Sequence, residues 1–321
     1  MSLLTAMQSW SHSPTIHAYL DGQPINPVSA NVELRYDVVS YQAQVTLDAV
    51  PSWISSHGLR KTLEIWLGYD GFSIPVFKGW VEDDSRAYFP FDNLLSAGGP
   101  LKLTQYQYPS GVTYASQKDV AIKQDLLAKA GITNYSVEGE NTTNLGTVQD
   151  VTLEAGQSTW DLINQLDQLF GYKTFDCPDG VVRSMRVSGV PGAGAAFAYV
   201  QGATSGSQLP IQSISRPQTL RGIHNKVVVT GLPQYPLTPG ATRQAANPLV
   251  PSPPTYIAFD YRSDLVETNA VASAVALRLI GEVNGILEEI TFEAPGNPYL
   301  SPGMTISITS GKIGLSSGKN F

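Results

Sequence analysis

Residues 151–183, VTLEAGQSTWDLINQLDQLFGYKTFDCPDGVVR, carry the reading that decides the fold. Ser158 stands where a helix N-cap belongs, and Asp161 follows at the third helical position, beside the unpaired N–H groups. Leu162, Ile163, Leu166, Leu169 and Phe170 recur at helical spacing, which predicts a helix over 158–170 with one buried face. Gly171 ends it, because glycine enters the left-handed C′ conformation without strain. Tyr172–Asp176 reads as a strand, Pro178, Asp179 and Gly180 as a turn, and 181–187 as the returning strand. The unit is a helix plus a hairpin.

Upstream the same grammar recurs. Ser116 and Asp119 make an S-x-x-D capping arrangement, with Asp in place of the usual Glu or Gln. Val120, Ile122, Leu126, Leu127 and Ala130 share one face and Gly131 is a natural stop, which predicts a helix over 116–130. Before it, the period changes to two. Val32, Leu34, Tyr36 and Val38 alternate with Glu33, Arg35 and Asp37. After Ser40, Tyr41, Ala43, Val45, Leu47 and Ala49 alternate with Gln42, Gln44, Thr46 and Asp48. Such alternation marks half-buried antiparallel strands. Leu63, Ile65 and Leu67 continue it, Tyr69-Asp70-Gly71-Phe72 supplies a hairpin turn, and 74–81 returns. Leu101 and Leu103 add a strand after the loop at 98–100, so this region reads as a small β-barrel or sandwich.

Downstream, 188–210 is rich in Gly, Ala and Ser and reads as loop. KVVVTG at 226–231 is a short β-branched strand. Seven prolines between 233 and 254 predict an extended linker or long loop. A third helix is expected over 264–280, with Glu267 completing its cap. Its alanines at 270, 272, 274 and 276 suit close approach to another backbone. Strands near 286–292 and 304–308 follow, and 313–321 reads as the start of another hairpin, as though the last unit were incomplete.

Composition narrows the function classes. A length of 321 residues fits two or three domains. Charged residues are 15% of the chain against about 25% ordinarily, and 20 basic against 27 acidic residues give a net charge of −7. Lys and Arg form no run, so the basic footprint of a nucleic-acid binder is missing. The lone Cys177 excludes an internal disulfide framework and any multi-cysteine zinc site. With its first basic residue at Arg35 and no long apolar stretch, the chain is expected to be soluble and made in a cytoplasm, with no stable membrane insertion.

His12, His17, His57 and His224 fit no metal-ligand spacing. No nucleophile elbow or phosphate loop occurs, and GVPGAG at 189–194 precedes no capped helix. Cys177 has no basic neighbour in the chain closer than Lys173 to activate it. Glu82, Asp83 and Asp84 together with Glu138 and Glu140 are the carboxylates that a glycoside hydrolase could use. Adjacent acids on an extended backbone diverge, however, so a solvated strand end is the better reading. Trp66, Trp80 and Trp160 read as core or subunit interface rather than a sugar platform. The expectation is therefore no catalytic residue, no metal and no cofactor.

Three stretches resemble the tail hub (baseplate hub) proteins of bacteriophages and related contractile injection machines. They are GYDGFSIPVFKGWVEDD at 68–84, the helix–hairpin unit at 151–183, and the closing pattern of a strand near 255–261, a helix and NPYLSPGMTISI at 297–308. The resemblance implies an α+β, mainly antiparallel β chain with two tube-like β-barrel domains and an inserted mixed α/β domain. Residues 1–112 would form the first barrel, completed by a return strand near 224–232, and 113–207 the inserted domain. Residues 208–254 would hold the return strand and Pro-rich linker, and 255–321 the second tube-like β-domain with its helix.

It further implies a structural virion protein at the tail tip or baseplate, made in the host bacterial cytoplasm. As a homotrimer it would adapt the six-fold tail tube to a three-fold spike or fibre and line the DNA channel. Its partners would be itself, the tail tube or distal tail protein, and a spike, fibre or tape-measure protein, with DNA passing during ejection without specific binding. A tail-tip glycan-binding or cell-wall-degrading protein, and a receptor-binding adaptor, are the alternatives. The Pro-rich segment and the absence of a visible spike or hydrolase region depart from the family pattern.

Overall fold

Seven antiparallel strands make the first sheet of the computed structural model, which describes residues 14–34, 40–48, 59–69, 71–85, 93–139, 144–146, 150–186, 194–203, 208–219, 224–231, 238–244, 257–284, 287–297, 299–301 and 303–321. These are β1 (Pro14–Leu20), β2 (Gln23–Ile25), β3 (Pro27–Glu33), β4 (Gln42–Leu47), β5 (Thr62–Tyr69), β6 (Phe72–Ser85) and β7 (Asn93–Gly98). Their spatial order is β2-β1-β5-β6-β7-β4-β3. The two edge strands, β2 and β3, are separated in the chain by Asn26 alone, so the sheet must roll until its edges meet. Bulges help it curl: Ile65 and Trp66 face Phe77 and Pro75, and a second irregularity lies between Val81 and Asp83. No ladder closes the roll into a barrel among the described residues.

The alternation read from sequence holds where it is described. Tyr41, Ala43, Val45 and Leu47 point inward, with Leu63, Ile65, Phe77 and Val81 beside them. Tyr36, Val38 and Ala49 lie outside the described residues. Leu101 and Leu103 do not form a strand. Pro100 opens a 3-10 turn over Pro100–Gln105, and the strand lies earlier, in β7. The Leu101 N–H, which a strand would give to a ladder, goes instead to a carboxylate of Asp176.

The mixed α/β module follows. Helix α1 (Asp119–Lys129) and helix α2 (Thr159–Phe170) pack on each other and on the hairpin Tyr172–Asp176 with Val182–Arg186. α2 is built as its sequence dictates: the Ser158 hydroxyl accepts from the Asp161 N–H, and Gly171 closes the helix at φ +75°. α1 starts later than expected. Ser116 is not its cap; it sits at φ +51°, and Gln117–Lys118 pairs with Asn144–Leu145. Asp119 turns inward to Lys123 rather than outward to cap.

The same core extends into the C-terminal half. Helix α3 (Asn269–Val283) lays Val271, Ala272, Val275, Ala276 and Leu279 against it, while Ala270 and Ala274 face outward. Residues 264–268 are not helical, because Thr268 is the cap and the turn before it buries Leu265 and Val266. Lys226–Thr230, expected to return to the first sheet, pairs instead with Gly240–Gln244 and Ala258–Arg262 and buries Val227 and Val229 under α3. Gly240–Gln244 is a strand within the Pro-rich segment; it occupies a sheet edge, where Pro239 just before it interrupts no ladder.

A last sheet orders as Leu209–Ile211, Phe197–Gln201, Ile306–Ser310 and Leu315–Asn320. Two of its strands come from the stretch expected to be loop, where Phe197 and Tyr199 supply the apolar contacts that Gly and Ala do not. Leu315–Asn320 completes a hairpin on Ile306–Ser310 rather than beginning a new one.

Candidate functional site

The first sheet and the α/β module are joined at one buried carboxylate. Asp176 ends the strand Tyr172–Asp176 and is 1% exposed. Its Oδ2 accepts from the Ser40 hydroxyl at 2.7 Å and the Tyr41 N–H at 3.3 Å, and its Oδ1 from the Leu101 N–H at 2.8 Å. Gly99 lies so close that a Cβ there would overlap the Asp176 carboxylate. Burial pushes the Asp176 carboxyl up to about 6, against the opposing effect of the Ser40, Leu101 and Tyr41 hydrogen bonds. Phe175 and Cys177, on either side, insert into the core of the rolled sheet. The hairpin predicted from sequence is thus the plug that seats one module on the other.

A second buried polar cluster lies inside the module. Lys123 of α1 places Nζ 3.2 Å from Asp167 of α2 and 3.6 Å from Asp119. The same Nζ donates to the Ser184 hydroxyl at 3.0 Å and the Glu138 carbonyl at 3.1 Å, and lies 4.5 Å from the Tyr172 ring centroid. Burial raises the Asp167 carboxyl above the ordinary carboxylate range, although Lys123 pulls it down. Sequence reading placed Asp119 at a cap and missed Lys123 and Asp167 altogether. Their one signal was position: each falls among the apolar residues of its helix.

The residues weighed for chemistry do not assemble into a described site. Glu82 faces Lys102 at 3.7 Å, while Asp83 and Asp84 stand opposite Ser96 and Leu95 in the β6–β7 ladder. Glu138 engages through its backbone, and Glu140 lies outside the described residues. His17 stands opposite Trp66 on β1, and His224 Nδ1 is 3.0 Å from the Ala258 carbonyl; His12, His57 and 189–193 lie outside the description. Burial pushes the Cys177 thiol up to about 11, which leaves it a poor nucleophile. Among the described residues no three His, Cys, Asp or Glu side chains gather to hold a metal, and no helix is long and apolar enough to cross a membrane.

Among the described residues are cavities of differing character. One of about 290 Å³ is acidic, lined by Asp150, Glu154, Asp161, Asp264 and Glu267, with neither His nor Cys in its wall. One of about 250 Å³ is apolar and lies between the rolled sheet and Gly296, Asn297 and Leu300, with Trp66 and Leu67 in its lining. One of about 390 Å³ separates the end of α2 from α3 and is crossed by Arg278. Exposed apolar side chains are scattered over several elements, among them Val28 on β3, Tyr106 and Leu277.

No family model and no curated protein matches the sequence. The fold does match solved structures. The tail protein from Neisseria meningitidis MC58 superposes with a TM-score of 0.69 at 11% identity, covering 96% of this chain and 89% of that one. The 43 kDa tail protein of prophage MuSo2 from Shewanella oneidensis gives a TM-score of 0.63 at 15% identity, covering 94% and 90%. Prophage tail protein gp18 from Listeria monocytogenes EGD-e gives 0.56 at 9% identity, covering 95% and 87%. Over 94–96% of its length, therefore, the chain carries the fold of phage-type tail proteins, mainly antiparallel β with few helices.

Proposed function

We propose that this chain is a structural subunit of a phage tail, assembling as a homotrimeric hub at the distal end and working without catalysis. The observation that carries the reading is a tail-protein fold spanning 96% of the chain. Two tube-like β regions per chain, the rolled sheet of 14–98 and the sheets of the C-terminal half, would give six quasi-equivalent units in a trimer. A trimer of that kind meets a six-fold tail tube or distal tail protein on one side and a three-fold spike, fibre or tape-measure protein on the other. The division at about 112, 207 and 254 belongs to this proposal, with Lys226–Thr230 now assigned to the sheet under α3.

Charge fits a passage for DNA. Three chains at −7 each give −21, and affinity for a duplex comes mainly from Lys and Arg neutralising phosphates. A channel of this composition lets the genome slide rather than bind. Light scattering on the purified chain, alone and with its tail tube partner, tests the reading. Three times the 34.5 kDa chain mass is the expected result. A monomer under both conditions contradicts it.

A further inference from the structure

The buried cluster around Lys123 brings one amine and two carboxyl groups together away from water. Lys123, Asp119 and Asp167 have side chains 1%, 0% and 4% exposed, and among the described residues one cation is enclosed with two carboxyl groups. Charge balance in a site shut off from water therefore favours a proton on one of the two acids. Asp167 is the acid whose burial raises its affinity for that proton, and its Oδ1 is the carboxyl oxygen in hydrogen-bond contact with Nζ. Asp119 Oδ2, one helical turn before Lys123, approaches the same nitrogen from the other carboxylate, at 3.6 Å. The ring of Tyr172 shields the nitrogen, and Ser184 and the Glu138 carbonyl hold it in place.

We propose that Lys123 and Asp167 join in an intramolecular isopeptide bond, with Asp119 carrying the protons, so that α1 and α2 are covalently stapled. The Asp119 carboxylate takes a proton from the ammonium. The freed lone pair attacks Cγ of the neutral Asp167 acid, forming the N–C bond. The Cγ–OH bond breaks and the hydroxyl leaves as water, receiving through Asp119 a second proton from the same nitrogen. The balance is one ammonium, one carboxylate and one carboxylic acid going to one amide, one carboxylic acid and one water. No oxidant or cofactor enters. A staple here would close a 44-residue span between two helices of the module that seats on the rolled sheet, where load along a tail would otherwise pull them apart. The chemistry does not depend on the tail assignment.

The test is the mass of the intact, purified full-length chain after incubation at neutral pH. The expected result is a chain lighter than its sequence by one water, with fragmentation of a proteolytic digest placing the join between Lys123 and Asp167. A tryptic branched peptide from 119–129 and 130–173 has the same mass as uncleaved 119–173, so the fragment ions must make the assignment. Asp-Gly pairs at 21–22, 70–71 and 179–180 can also lose water as cyclic imides, but each would leave the loss within one linear peptide. Lys123→Arg should carry its full mass, and Asp119→Asn should form the bond far more slowly. A wild-type chain at full mass, or a water loss mapped only to an Asp-Gly pair, overturns the proposal without relying on any variant's folding.

Discussion

The Ser40 hydroxyl donates to the Asp176 carboxylate at 2.7 Å across 136 positions of chain, tying the rolled sheet to the tip of the hairpin that plugs it. That bond, with the Leu101 N–H on the other oxygen, makes Asp176 the polar pin of an otherwise apolar joint.

Removing the pin leaves donors stranded. Asp176→Ala should cost about 3 kcal/mol in urea unfolding, because the buried Leu101 N–H and Ser40 hydroxyl lose their acceptor. Gly99→Ala should cost about 2 kcal/mol by overpacking against the same carboxylate. A change within experimental error for both variants would show that the joint is held by its apolar contacts alone.

The pin also gives the fold a pH signature. The folded-state value of about 6 lies above the unfolded value of 3.8, so the folded chain binds the Asp176 proton more tightly. This group's contribution is therefore fully present below 3.8 and is lost as pH rises through about 6, a change of about 3 kcal/mol. Paired carboxylates such as Asp21, whose bond to Lys61 lowers it, act in the opposite sense. The measurement is thus the difference between wild type and Asp176→Asn across pH 4 to 7. The wild type should lose stability relative to the variant as pH rises, and a flat difference would refute the assignment.

The helix caps offer a matched pair. Ser158→Ala should cost about 1 kcal/mol, since its hydroxyl caps α2. Ser116→Ala has no cap to lose, and Ser116→Gly should be neutral or stabilising because residue 116 sits at φ +51°. Equal losses at both serines would mean that α1 is capped as its sequence first suggests.

How much was legible follows from which forces act locally. α2 was readable to the residue because cap, stripe and stop all lie within 158–171 and agree. The period-two strands were readable because burial on one face imposes the pattern. What escaped was decided by distant partners. Leu101 leaves the sheet for a carboxylate 75 positions away, and Asp119 abandons its cap for a buried lysine. Phe197–Gln201 becomes a strand between two parallel partners, the nearby Leu209–Ile211 and the distant Ile306–Ser310. The Lys123 cluster was invisible because its charges hide among apolar neighbours on two helices.

The nucleic-acid prediction is plain. The purified chain should show no DNA retention at physiological salt, and any binding at low salt should vanish steeply as salt is added. Salt-resistant binding would mean that a basic face is assembled in space from residues scattered in sequence. Cell-wall glycan should likewise go unhydrolysed, with Glu82→Gln and Glu138→Gln indistinguishable from wild type. Turnover lost on either substitution would make the chain an enzyme.

Electron cryomicroscopy of the isolated assembly or intact tail decides whether three copies of this chain form the axial hub that we propose. The expected result is three-fold density on the tail axis, with two β regions of each chain arranged around an opening wide enough for a duplex. Density for this chain off the axis, or a symmetry that three copies cannot supply, would contradict it.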